Sequence, residues 1–316
     1  MNKDVVCVGG TAVDRVYRLS NLPRPGSGAH IVEMAQMGGG VEANVAAALA
    51  RLGARVGLVS RVGDDADGEW ARDDLQAWGV DTTRVVTVPR GHTDFCLAWV
   101  PPDGERMLAC HNPSLRNMQL ENADRRYIAQ ARVLFLSGFV PPDLIEQAIH
   151  AAQAANLTVT FDLPDTFQDL AGRGLSRARF RQLLPQIDLL MTNHTGLTSL
   201  MALKTPEEAL DAFQKLAPDM SLAMTMGAKG AWLYHDGQQV YLEAFPVQVL
   251  DTTGAGDAFH AGLIYGLLIE KWALRRAGLF ASALAALNCT NLGARGGLVG
   301  RKEVERFLLE HDLHAR

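Results

Sequence analysis

An α/β fold built on one mostly parallel sheet is predicted by two observations. Short apolar or β-branched runs alternate with longer segments of helical period, the signature of βαβ units. Residues 15–37 and 92–112 break that alternation, each reading as two extended pieces around a turn-rich centre. Extended segments inserted near the start of an α/β chain predict a small β lid over the main sheet, within a single domain spanning residues 1–316.

Taken in order, the strand runs are Val5-Val8, Val56-Ser60, Val133-Leu136, Thr158-Asp162, Asp188-Met191 and Leu222-Thr225. The helical stretches between them include Val41-Leu52, Glu69-Trp78, Leu144-Ala154 and Pro206-Leu216. The last has a start signal: Thr205 as N-cap, Pro206 in the first turn and Glu208 closing a capping box. In the lid, one pair of extended pieces flanks Pro23-Arg24-Pro25-Gly26-Ser27-Gly28. A hairpin, Phe95-Val100 and Arg106-Cys110, flanks Pro101-Pro102-Asp103-Gly104. Near the C-terminus an extended run, Val247-Leu250, leads through a glycine-rich turn into a long apolar helix from Ala258 to Ile269.

Composition narrows the function. The 316 residues are 48% hydrophobic, enough for a large core, and the net charge of −5 is spread without a basic block. Nucleic acid is therefore not an expected partner. The apolar run after Met1-Asn2-Lys3-Asp4 is too short for a signal peptide core or a membrane span. The four cysteines, Cys7, Cys96, Cys110 and Cys289, form no Cys-x-x-Cys pair and read as small core residues of a cytoplasmic chain. The nine histidines show no zinc-ligand spacing.

The most informative stretch is Asp251-Thr252-Thr253-Gly254-Ala255-Gly256-Asp257, followed by Ala258-Phe259-His260-Ala261-Gly262. A small-residue turn at a helix start converges several N–H groups on one point, where the helix dipole favours an anion. Asp257 follows directly, so its carboxylate can take a proton from an attacking hydroxyl while backbone donors hold a transferring phosphoryl group. A plain glycine turn with an acidic helix start explains Gly-Ala-Gly-Asp alone equally well; the full run is more specific.

This run resembles the second signature of the PfkB, or ribokinase-like, carbohydrate kinases nearly letter for letter. Gly38-Gly39-Gly40-Val41-Glu42-Ala43-Asn44 through Gly53 is similar to the first signature. Arg61-Val62-Gly63-Asp64-Asp65 and Thr225-Met226-Gly227-Ala228-Lys229-Gly230 also stand in the family's order. The resemblance implies a ribokinase-like three-layer sandwich with a β lid, and ATP-dependent phosphorylation of a sugar hydroxyl in the presence of Mg²⁺. It implies Asp257 as base and the backbone of Gly254, Ala255 and Gly256 as anion hole. It implies sugar contacts from Asp14, Gly39, Gly40 and Asn44, and ATP contacts from Asn193, Thr225, Gly227, Gly230 and Ser282. Asp251 and Thr253, with carbonyls of Ala294-Arg295-Gly296-Gly297, would bind an activating monovalent cation such as K⁺, oxygen ligands suiting a hard ion. A turn-shaping role explains Asp251 as well. The lid implies a homodimer, with alternating Phe95, Leu97 and Trp99 offering an apolar face.

Two departures stand out. Asn193-His194-Thr195-Gly196 has Gly where many relatives have a Glu linked to magnesium, which leaves Mg²⁺ to ATP phosphates and water. Glu42 sits where ribokinases have Gly, adding an acid to the sugar pocket. Arg15, Arg18, His30, Arg106 and His111 offer cations to a substrate anion or to solvent. Thr11–Pro23 and Cys289–Gly297 are similar to sulfofructose kinases, but Ser27-Gly28-Ala29-His30 replaces their lysine, so no single sugar is assigned. A nucleoside or vitamin kinase, or a silent sugar-binding regulator, shares the same scaffold. A Rossmann oxidoreductase lacks its third glycine after Gly9-Gly10, and no P-loop sequence occurs.

Overall fold

The computed structural model describes residues 2–101 and 107–311. The Pro102-Asp103-Gly104 turn and Arg106, read above as lid features, lie outside the described residues.

Strands β1 (Val5–Val8), β4 (Val56–Gly63) and β8 (Val133–Ser137) consist wholly of buried residues. Strands covered on both faces can be apolar without alternation, which is why these runs were visible in the sequence. They belong to a nine-stranded sheet of order β13-β12-β11-β10-β9-β8-β1-β4-β5. Its other members are β5 (Asp81–Val88), β9 (Thr158–Leu163), β10 (Leu189–Asn193), β11 (Ser221–Thr225), β12 (Ala231–His235) and β13 (Gln238–Leu242). All pairings are parallel except those of β12 with β11 and with β13.

Helices cover both faces. On one lie α1 (Val41–Arg51) and α2 (Ala66–Ala77). On the other lie α3 (Pro113–Arg116), α4 (Asn122–Ile128), α5 (Pro142–Ala154), α6 (Phe167–Ala171), α7 (Arg177–Leu183), α8 (His194–Met201) and α9 (Pro206–Leu216). Then α10 (Ala255–Leu263), α11 (Leu274–Asn288) and α12 (Arg301–Glu310) return to the first face. The alternation of strand side chains sorts two cores: Val5 and Cys7 join Leu49, Leu263 and Phe280, whereas Val6 and Val8 join Ile145, Phe180 and Phe213. Thr205 caps α9 by accepting the Glu208 N–H at 3.3 Å, as its start signal predicted.

The lid is a four-stranded sheet of order β3-β2-β6-β7, with β2 (Ala12–Leu19), β3 (Ile31–Gly39), β6 (Asp94–Val100) and β7 (Met107–His111). It is anchored at its base. Asp65 caps α2 through the Gly68 N–H and accepts the Thr93 N–H at 2.9 Å, next to β6. Arg15 of β2 grips Asp67 of α2 with contacts of 2.7 and 2.5 Å.

Four details differ from expectation. Val247–Leu250 forms no strand. The predicted helix Ala258–Ile269 changes pitch, because residues 264–269 wind as π turns where Gly266 packs against Trp272 and Ala277. Cys96 and Cys110 are not core residues: they oppose each other on β6 and β7 and are joined as a disulfide. Only Cys7 and Cys289 are buried free thiols. Finally, Phe95, Leu97 and Trp99 are half-buried, and the lid's exposed apolar residues lie instead on β3 and β7.

Candidate active site

The strand order reverses at β1: the chain first builds outward through β4 and β5 on one side, and β8 to β13 then extend the sheet on the other. Open α/β sheets bind ligands at the C-terminal ends of strands beside such a switch. Here the ends of β1 and β8 meet the base of the lid and the start of α1.

Three consecutive glycines shape that junction, each for a different neighbour. A Cβ on Gly38 would collide with the guanidinium of Arg295 and the carboxylate of Asp74. One on Gly39 would strike the Asp14 carboxylate. Gly40, the residue before α1, has φ +90° and packs against the Gly10 carbonyl, where an L side chain would be strained. Asp14 therefore points from β2 across Gly39, beside the start of α1. Glu42, in the first turn of α1, is buried and accepts the Gly10 N–H at 3.0 Å. Burial raises the pKa of its carboxylate.

Asp257 enters from the other side, in the first turn of α10. Gly254, at φ +73°, precedes the helix in the left-handed region and lies against the Ala294 carbonyl. The Ala255 N–H turns back to the Thr252 carbonyl at 3.2 Å, while nothing crowds Gly256. The first N–H groups of a helix lack helical acceptors, and Gly256 lies in the cleft wall beside them. Desolvation pushes the Asp257 pKa up to about 7, against a hydrogen bond from Asn44 Nδ2 at 2.8 Å. Glu42 and Asp14 add to the rise and Arg295 opposes it. Behind it lie Asp162, whose pKa burial and the Asp257 charge raise, and His260, held neutral by burial with a pKa of about 3.

Asn44, expected as a sugar contact, also makes contacts within the protein. Its Oδ1 accepts from Arg295 Nε at 2.8 Å and its Nδ2 donates to Asp257, so both ends of the amide are engaged by protein. Arg295 itself was read only as part of a carbonyl-bearing loop. Its recognition needed a partner 251 positions away, which no local pattern reveals.

A cleft of about 550 Å³ adjoins the start of α10, with Thr225, Gly227, Gly230, Ala255, Gly256 and Ser282 in its wall. Gly230, at φ +93°, leaves no room for a Cβ beside the Leu242 carbonyl. Phe245, Val247 and Phe259 supply apolar surface suited to a planar base. Asn193 is not brought into this wall. It caps α8, accepting from Gly196 N at 2.7 Å and donating to the Pro164 carbonyl at 2.6 Å.

Among the described residues no group of three or more His, Cys, Asp or Glu side chains is arranged to hold a metal ion. Asp251 accepts from Thr253 N at 2.9 Å, from Thr253 Oγ1 at 2.6 Å and from Gly293 N at 2.9 Å, the geometry of a turn-shaping carboxylate. The carbonyls of Thr253 and Ala294 both receive the Asn288 amide, at 3.2 and 3.1 Å. Carboxylate and carbonyl oxygens of the kind a hard monovalent cation takes are thus gathered at this turn. No helix among the described residues is long and apolar enough to cross a membrane.

Residues 2–299 match the model of the pfkB family carbohydrate kinases. The chain is 33% identical to the ATP-dependent ribose-1-phosphate kinase of Halopiger xanaduensis, over 92% of this chain and 93% of that one. It is 29% identical to the ribokinase of Haemophilus influenzae, over 98% and 100%. Among solved structures, Arabidopsis thaliana ribokinase complexed with ribose and ATP superposes with a TM-score of 0.85 at 25% identity, covering 98% and 99%. A family match along nearly the whole chain, on a fold shared from end to end, places this protein in the pfkB family of ATP-dependent carbohydrate kinases.

Proposed function

We propose that the chain transfers the γ-phosphoryl group of ATP to a hydroxyl of a sugar or sugar derivative, with Asp257 as base. The observation that carries this is the position of Asp257. It follows Ala255 and Gly256 of the cleft also walled by Thr225, Gly227, Gly230 and Ser282, and it lies within electrostatic reach of Glu42 and Asp14. A hydroxyl held by Asp14 loses its proton to Asp257 as its oxygen attacks phosphorus. The donors of Gly254, Ala255 and Gly256 at the start of α10 receive the growing negative charge. Mg²⁺ would be held by the ATP phosphates, and Asp251 and Thr253 would hold a K⁺ supplying positive charge beside the anion hole.

Residues 1–316 act as one unit whose lid, residues 15–37 and 92–112, closes over the sugar. The lid also supplies the homodimer contact, since Ile31, Val32 and Met34 on β3 are 57%, 67% and 67% exposed. Cytoplasmic ATP and K⁺ suit this chemistry.

ADP release is the test, with ATP and Mg²⁺, with and without K⁺, over ribose, ribose 1-phosphate, ketohexoses, sugar acids and nucleosides. One strong sugar hit supports the reading, and a nucleoside hit moves the substrate class. Asp257→Asn should lower turnover by ~10²–10⁴-fold with ATP affinity kept, because only the proton acceptor is lost. A base must be ionised, so turnover should rise as pH climbs through about 7. Near-normal turnover in Asp257→Asn removes Asp257 from this role.

A further inference from the structure

Arg295 is a buried arginine, 5% exposed, in the loop after α11, and the mechanism above leaves it unused. Its guanidinium reaches three elements directly and a fourth through Asn44. Nη1 pairs with Asp74 of α2, and Nη2 donates to the Gly39 carbonyl of the lid strand β3 at 3.1 Å. Nε donates to Asn44 Oδ1 on α1, and Asn44 Nδ2 in turn meets Asp257 on α10.

We propose that Arg295 is a positioning residue for phosphoryl transfer, orienting Asn44 towards Asp257 and linking the base to the lid strand. This rests on the reading of Asp257 as base. The argument is one of hydrogen-bond inventory. An asparagine amide fits its site equally well in two orientations related by a flip, one presenting NH₂ and the other oxygen. Oxygen towards a carboxylate repels it; NH₂ towards it stabilises its charge. A guanidinium has only donors, so Arg295 accepts one orientation alone, with Oδ1 facing itself and NH₂ facing Asp257. Arginine also keeps its charge when buried, which a lysine or histidine does less reliably. The room for this side chain is set aside by Gly38, where a Cβ would collide with both Arg295 and Asp74.

The charge environment makes such a device necessary. Asp257 is faced by Glu42 from α1, Asp14 from β2 and Asp162 from β9, while His260 on its own helix is held neutral. Arg295 is the cation that opposes these acids, itself partly neutralised by Asp74. Removing the cation and removing its counter-charge should therefore act on Asp257 in opposite directions.

The test reads Asp257 directly, without needing the natural substrate. Carbon NMR of protein labelled at the aspartate carboxyls follows the Asp257 resonance, assigned by its loss in Asp257→Asn, across pH 4–9. Arg295→Met should raise the Asp257 midpoint by ~1 pH unit, the scale on which a nearby opposite charge acts. Asp74→Asn should lower it. Turnover on the best panel sugar at pH 7 should fall ~10-fold or more in Arg295→Met, with Arg295→Lys intermediate because it restores charge without the planar fork. A folded Arg295→Met protein of unchanged melting temperature with an unmoved midpoint overturns the proposal. So does Asp74→Asn moving the midpoint upward or not at all, and this variant alone decides if Arg295→Met does not fold. If Asp257→Asn keeps its turnover, the base assignment falls, whereas an unmoved midpoint with an inactive Asp257→Asn removes only Arg295.

Discussion

Every residue of β8 is buried, and every residue of β7 is exposed. The first strand lies between two helical layers and draws its stability from apolar contacts on both faces. The second lies at the edge of the lid, paired on one side only and open to water. The lid thus owes its place less to a core than to polar anchors at its base. These are Asp65 with Thr93, Arg15 with Asp67, and Arg295 with the Gly39 carbonyl. A region held this way can shift as a unit without disturbing the sheet beneath it, which suits a cover for a substrate pocket.

Substitutions can sharpen or break this contrast. The largest effect is expected in β8, where Phe135 is fully buried. Phe135→Ala should cost ~3–5 kcal/mol in denaturant unfolding, because a large cavity opens in a core that relaxes only partly. A cost below ~1 kcal/mol would mean that the main sheet is not the stable half.

Asp4, before β1, tests the polar anchoring of the sheet itself. The Arg55 side chain, with its backbone N–H and Arg132, holds the Asp4 pKa at about 2 against the ordinary 3.8. A lowered folded-state pKa stabilises where the carboxylate is ionised, so the contribution is present above about pH 4 and fades as pH falls towards 2. Asp4→Asn should destabilise by ~1–2 kcal/mol at pH 7, with the gap to the parent closing in acid. A gap that is constant with pH would assign the effect to packing.

The smallest change in fold stability belongs to the lid surface. Met34→Asp should alter unfolding by no more than ~0.5 kcal/mol, since Met34 is 67% exposed. Its effect should appear in light scattering as a weaker dimer. A parent chain that is monomeric at micromolar concentration would break the dimer reading outright.

The same division explains what the sequence made legible. Val5–Val8 and Pro206–Leu216 have the predicted limits because an all-apolar run and a Thr-Pro-x-Glu start are local signals. Gly254 and Gly230 were recognisable because a left-handed turn writes itself as glycine. Other features depend on partners remote in the chain. Asp81–Val88 carries charge and threonine amid its valines, since it is an edge strand with one neighbour, β4. Cys96 and Cys110 read as separate small residues until the β6–β7 register set them opposite one another. The contacts of Asn44 with Asp257 and Arg295 were invisible in the sequence because both partners lie in the last fifth of the chain.

Those distances bear on how the protein is born. Asn44 waits 213 residues for its contact with Asp257 and 251 for Arg295. Long-range contacts form slowly, and a chain leaving the ribosome folds from its N-terminal side first. The lid and the first half of the sheet can thus be present on a nascent chain that still lacks Asp257, the proposed proton acceptor. With Asp257 as the proposed base, phosphoryl transfer would have to wait until the final helices dock.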